Sequence, residues 1–298
     1  MRVFVTGATG NIGSRVVTDL IAAGHQVIGL CRNEAKARAL AAAGAVVYRG
    51  SIADPDSLKD GAARSDGVIH LAFNHDFSRF AQNCEDDRRV IQALGSVLAG
   101  SSRPLIVTSG TPIANTTPGQ PAREGNPIVS SATHPRAASE EAAAAVAANG
   151  VNVSVVRLPQ VHDPITQGLI TPAIAMYREK GVCAFIGEGL NRWPAAHVVD
   201  VARLYRLAIE RAEPNARYHA VGEEGVPMRE IAETVGRRLG LPAKSIAAKE
   251  APAYFGWLAT FAGLDAPASS EQTQKELGWA PTGPRLVADL EQLRLADA

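Results

Sequence analysis

Aromatic residues are scarce in this chain, at 5% of 298 residues, and cysteine occurs only three times. Cys31, Cys84 and Cys183 lie far apart without metal-ligand spacing. This excludes a disulfide framework and a cysteine-held metal, so reduced, space-filling thiols and no metal are expected. Neither charge is in surplus. Thirty Lys and Arg face thirty Asp and Glu, so nothing marks a nucleic-acid or anionic-membrane partner; a small molecule in a local pocket is expected instead. No apolar run is long enough to span a bilayer. Met1 runs almost directly into an apolar segment, leaving no room for a signal peptide, and a cytoplasmic protein is expected.

What is present starts at once. In RVFVTGATGNIGSRVV, Arg2 to Val5 form a short apolar run, Gly7, Gly10 and Gly13 follow at three-residue spacing, and Ile12, Val16, Val17 and Leu20 begin a helical stripe. This reads as strand, phosphate loop and helix. Glycine there permits a tight turn, close backbone approach to a pyrophosphate and close helix packing, with the helix N-terminus facing the anion. Thr6, Thr9 and Asn11 add short polar groups.

Strand and helix candidates then alternate in the rhythm of a parallel sheet covered on both faces. Strands are expected at 26–31, 45–49, 67–73, 104–109 and 152–158, and helices at 34–43, 55–63, 77–99 and 135–148. The expected fold is α/β: a Rossmann doubly wound parallel sheet over residues 1–164, with a smaller, mostly helical substrate-binding portion over 165–298. A segment near 195–222 should return to the sheet. At the end of the second strand, where an acid would accept from an NAD ribose, stand Cys31 and Arg32. An arginine there accommodates a 2′-phosphate, so NADP is expected over NAD.

The GATGNIG turn, Gly50 to Asp54, His70-Leu71-Ala72 and Arg157-Leu158-Pro159 together resemble an extended or atypical short-chain dehydrogenase/reductase, the group that includes nucleotide-sugar epimerases. The resemblance covers nearly the whole chain, down to a terminal Leu277-Gly278-Trp279-Ala280-Pro281 turn. It implies that Ser51 and Ile52 flank the adenine, that Leu71, Ala72 and Phe73 line the cofactor, and that Leu158 and Pro159 border the nicotinamide.

That family places a serine after its fifth strand, then a tyrosine and a lysine four residues apart on the next helix. Here Gly110 takes the serine position, Arg136 the tyrosine position and Glu140 the lysine position. Ser109 and Thr111 are possible hydroxyl substitutes. Arginine stays charged and cannot donate the tyrosine's proton. Arg136 either pairs with Glu140 on a helix surface or anchors a carboxylate or enolate oxygen. His162, with His134 behind it, is the candidate proton donor, since histidine titrates near neutrality. An activated double bond needs no such donor, because its proton can come from solvent.

Beyond Pro164, Arg192 and Trp193 are candidates for clamping a flat or anionic ligand. Asp200 is read as a helix cap. The aromatic run from Tyr254 to Phe261 could close an apolar substrate pocket, form a homodimer surface, or simply pack a small lobe. Three functions follow from these residues: an NADP-dependent reductase of a carbonyl or an activated enone or imine, an isomerase or epimerase, and a catalytically silent NADP sensor.

Overall fold

A strand buried on both faces must be apolar throughout, and the central strands of this chain are. In the computed structural model, which describes residues 1–115 and 117–295, the chain opens β1 (Arg2–Thr6), α1 (Asn11–Ala22), β2 (Gln26–Cys31), α2 (Glu34–Ala42) and β3 (Val46–Arg49). It continues α3 (Lys59–Ala63), β4 (Gly67–His70), α4 (Phe80–Leu98), β5 (Pro104–Gly110), α5 (Ala138–Ala148) and β6 (Asn152–Leu158). The helices expected from Pro55, Phe77 and Pro135 each begin as a short 3-10 turn and then continue as α-helix. The expected strands are all present, with ends moved by up to three residues.

The second half runs β7 (Gln160–His162), α6 (Ile170–Lys180), β8 (Cys183–Ile186), β9 (Arg192–His197), α7 (Val198–Arg211), β10 (Arg217–His219) and β11 (Glu223–Pro227). It ends α8 (Met228–Leu239), β12 (Ala243–Ile246), α9 (Ala251–Phe255), α10 (Ala259–Ala262), α11 (Glu271–Leu277) and α12 (Leu286–Glu291).

Seven strands form one parallel sheet in the order β10-β6-β5-β4-β1-β2-β3. Strand β10 pairs with β6, which is the return to the sheet anticipated from the sequence. Helices α1 and α7 bury Val16, Val17, Leu20, Leu204, Tyr205 and Ala208 on one face. On the other, α4 and α5 bury Ile91, Leu94, Ala142 and Val146. The order reverses between β1 and β4, and the crevice beyond the C-terminal ends of such strands is where open α/β sheets bind ligands.

The smaller lobe is mostly helical, as expected. It carries two small sheets, β11-β9-β7 and β12-β8, around a core that includes Tyr177, Trp193, Ile231, Phe255 and Leu286. His197, not Asp200, caps α7 by accepting from the Val199 N–H. Asp200 instead accepts from the Thr282 and Gly283 N–H groups at 3.0 and 2.7 Å, anchoring the terminal turn. Among the described residues, no helix is long and apolar enough to cross a membrane.

Candidate active site

Gly7 has a φ of +69°, and a Cβ on it would lie 2.8 Å from the Ala72 nitrogen. A Cβ on Gly13 would fall 2.0 Å from the Gly7 carbonyl oxygen. The turn therefore brings α1 closer to the ends of β1 and β4 than any side chain would allow. No side chain caps α1, so its first N–H groups and the helix dipole are available to an anion. These features fit the pyrophosphate of a dinucleotide.

A cavity of about 750 Å³ opens from this turn, within the range of small-molecule sites. Gly7, Gly10, Asn11, Ile12 and Gly13 form one end, and Leu71, Phe73, Leu158 and Pro159 continue its wall. Thr9, Arg32, Ser51, Ile52 and Ala72 do not line it. Arg32 is exposed beyond β2, with no ion-pair partner among the described residues, while Asn33 caps α2 by accepting from Lys36 N–H at 3.1 Å. Half-buried Ser51 and Ile52 follow β3, the sheet neighbour of β2.

Arg136 lies on the same wall, and of its two readings the surface pair with Glu140 does not form. Its Nη1 donates to Asp87 Oδ2 at 2.9 Å and to Ser139 Oγ, and its Nη2 donates to the Thr108 carbonyl at 2.7 Å. The guanidinium stands 4.4 Å from the centre of the Phe73 ring. Glu140 turns inward instead, gripping buried Arg157 at 2.7 and 2.9 Å.

Behind Arg136, Asp87 Oδ1 meets His70 Nε2 at 2.9 Å, and His70 Nδ1 meets Thr6 Oγ1 at 2.7 Å. Thr6 Oγ1 in turn accepts from the Leu71 and Ala72 N–H groups at 3.1 and 3.2 Å. One polar chain thus joins the cavity arginine to the dinucleotide turn. Burial alone would raise the Asp87 carboxyl; Arg136 and His70 outweigh it and hold the group at about 2.

Ser109 and Thr111 also line the cavity. Both hydroxyl oxygens are buried and lack a hydrogen-bond partner among the described residues, which costs about 1–3 kcal/mol for each unless a ligand group meets it. No tyrosine lines the cavity among the described residues. Tyr205 reaches only Thr108 Oγ1, at 2.8 Å, and burial raises its hydroxyl.

His162 does not join this group. Its side chain is fully buried away from the cavity wall, with Nδ1 2.7 Å from Asp289 Oδ2 on α12. Burial lowers its pKa against the pull of Asp289, and among the described residues it is not one that lines the cavity. His134 and His75 do line the cavity, and burial, then Arg136, lowers both.

Arg192 is likewise withdrawn. It clamps Asp265 through Nε and Nη2 at 3.0 and 2.8 Å and does not line the cavity. Trp193 does.

The far end is aromatic: Phe73, Phe77 and Phe80 face Trp257 and Phe261 from the smaller lobe. Phe77 and Trp257 stack with centroids 4.5 Å apart and planes 4° from parallel. Trp257 and Phe261 belong to the aromatic run singled out in the sequence. Asp87, His75, Phe77 and Phe80 were missed, although Asp87 shares the stripe of Cys84, Ile91 and Leu94 and so is an acid at a core position.

This sheet, its glycine turn and the cavity beyond the switch point define a dinucleotide-binding enzyme architecture. The chain belongs to the NAD dependent epimerase/dehydratase family, whose model matches residues 3–221. It is 45% identical to uncharacterized protein C2A9.02 of Schizosaccharomyces pombe, with 97% of this chain and 98% of that one covered. It is 30% identical to a UDP-glucose 4-epimerase of Streptomyces lividans, covering 93% and 91%. Reductases also occur among its relatives, at 25–29% identity. DesIV, a dTDP-glucose 4,6-dehydratase of Streptomyces venezuelae solved with NAD and TYD bound, shares the fold at a TM-score of 0.79 and 20% identity, covering 98% and 95%.

Proposed function

We propose that the protein is an NADP(H)-dependent reductase of a small carbonyl compound or of an activated carbon–carbon or carbon–nitrogen double bond. The observation that carries this reading is Arg136, fixed by a buried carboxylate on the wall of the dinucleotide cavity, where the resemblance expects a tyrosine. When bound, the nicotinamide supplies a hydride to an electron-poor carbon. As the π electrons move onto the oxygen of a carbonyl or enone, or onto the nitrogen of an imine, spare Arg136 N–H groups donate to the atom that gains the electron pair. Ser109 and Thr111 offer hydroxyls on the same wall. Burial, and after it the Arg136 charge, lowers the pKa of His75 and His134, which disfavours the protonated imidazole that a general acid near neutrality would need. In this reading the proton is drawn from water.

Exposed Arg32 at the end of β2, with no acid beside it in the chain, supports NADP over NAD. The reductases among the relatives support the reaction class. The test is a titration with NADPH and NADH, followed by a screen of ketones, enones and imines read by nicotinamide absorbance. NADPH should bind more tightly and be oxidised by at least one class. Conversion of UDP-glucose at constant absorbance would replace the reductase with an isomerase, and cofactor binding without any turnover would leave a sensor.

A further inference from the structure

The chain has few aromatic residues and spends them unevenly. Four of its seven phenylalanines, Phe73, Phe77, Phe80 and Phe261, line this one cavity, together with Trp193 and Trp257. Phe80 and Phe261 meet edge to face at 5.9 Å, and the Phe77–Trp257 stack presents parallel rings. Such walls favour a flat π-system over a hydroxyl-covered sugar.

The charge count agrees. Arg136 is the only Lys, Arg, Asp or Glu among the described residues that line the cavity, and its charge is already matched by Asp87 at 2.9 Å. A diphosphate or carboxylate entering the aromatic end would lose its water and find no unmatched cation, which is costly. Of the five guanidinium N–H groups, Asp87, Ser139 and the Thr108 carbonyl take three. Two donors remain. A neutral carbonyl oxygen can use them without bringing a charge of its own.

We infer that the substrate is a neutral, flat, conjugated carbonyl compound of the aryl ketone or aryl enone class, recognised by the aromatic end of the cavity and by Arg136; this rests on the reductase reading of the same cavity. Arg136 thereby reads a neutral oxygen, not the carboxylate that its charge alone would suggest.

The test is a calorimetric titration of the protein, cofactor-free and loaded with NADP, with benzylideneacetone, acetylbenzoate and UDP-glucose. Benzylideneacetone should bind about tenfold or more tightly than either of the others, a difference of about 1.4 kcal/mol. Trp257→Ala, at a site 39% exposed, should weaken benzylideneacetone about tenfold and leave NADPH affinity unchanged. Asp87→Asn leaves the Arg136 charge unmatched and should move the preference about tenfold toward acetylbenzoate. If Asp87→Asn does not fold, the Trp257 variant still decides. Tighter binding of UDP-glucose or acetylbenzoate to the parent protein overturns the inference, as does absent benzylideneacetone binding, an unaffected Trp257→Ala, or a folded Asp87→Asn with unmoved preference. Binding of benzylideneacetone without NADPH oxidation sinks the reductase reading alone. NADPH oxidation with acetylbenzoate preferred sinks the substrate class alone.

Discussion

Arg136 has little freedom: Asp87, Ser139 and the Thr108 carbonyl hold its guanidinium, and Phe73 supports one face. A donor fixed in advance stabilises developing charge without reorganising. Arg136→Ala should therefore lower kcat/KM for the best carbonyl substrate by roughly 10² to 10³, with NADPH affinity unchanged. Steady-state kinetics and a cofactor titration check this, and unaltered kinetics would reduce Arg136 to a structural residue. His162→Ala should behave in the opposite way. It takes from buried Asp289 its 2.7 Å partner and leaves only His197 Nε2, at 3.8 Å, so about 1–3 kcal/mol of stability should be lost in denaturant titration while kcat stays the same. The difference was not readable in sequence, where both residues lie near the same family motifs. Only the fold shows that Val161 turns toward the cavity while His162 turns toward α12.

The strand, glycine turn and helix at the start of the chain were legible because local rules specify them. Three glycines between a buried strand and an amphipathic helix leave few alternatives, and a lone Cβ shows why: on Gly13 it would sit 2.0 Å from the Gly7 oxygen. Gly13→Ala should abolish measurable NADPH binding while the far-UV circular dichroism of the sheet is retained; NADPH affinity equal to the parent's would remove the turn from the cofactor site. Arg32 stands just beyond the neighbouring strand, β2. Replacing it with Glu removes a charge-assisted contact worth about 1.5–3 kcal/mol, so the NADPH-to-NADH affinity ratio should fall by about tenfold or more, and an unmoved ratio would make Arg32 a solvated charge only. The aromatic end was half legible. Trp257 and Phe261 stood out by local density, whereas Phe77 and Phe80 sat in what read as the first turn of a helix, and their approach to the smaller lobe is set by packing across 180 residues of chain.

At the scale of the molecule, the two lobes are tied by buried polar residues that must stay in one protonation state. His219 on β10 donates from Nδ1 to the Ser269 carbonyl at 2.8 Å, and its Nε2 accepts from Arg157 Nη1 at 3.1 Å. Burial first, and the Arg157 charge second, lower its pKa from 6.5 to about 4. The unfolded chain therefore takes up a proton below pH 6.5 that the folded protein refuses until about pH 4. Stability from this group is complete above pH 6.5 and is lost as pH falls to 4, by up to about 3 kcal/mol. His162, also lowered, adds in the same direction. Asp87 acts later: its contribution is present above pH 3.8 and is lost as pH falls toward 2. Urea midpoints should thus fall between about pH 7 and about pH 4.5, before any carboxylate contributes much. His219→Gln keeps a donor and an acceptor but has no proton to gain, so it should reduce that upper slope to the share of His162, His75 and His134 and leave the loss below pH 3.8 in place. An equal slope in the parent and His219→Gln would place the acid sensitivity on the other buried histidines, because a packing loss from the substitution shifts stability at every pH and leaves the slope as it was.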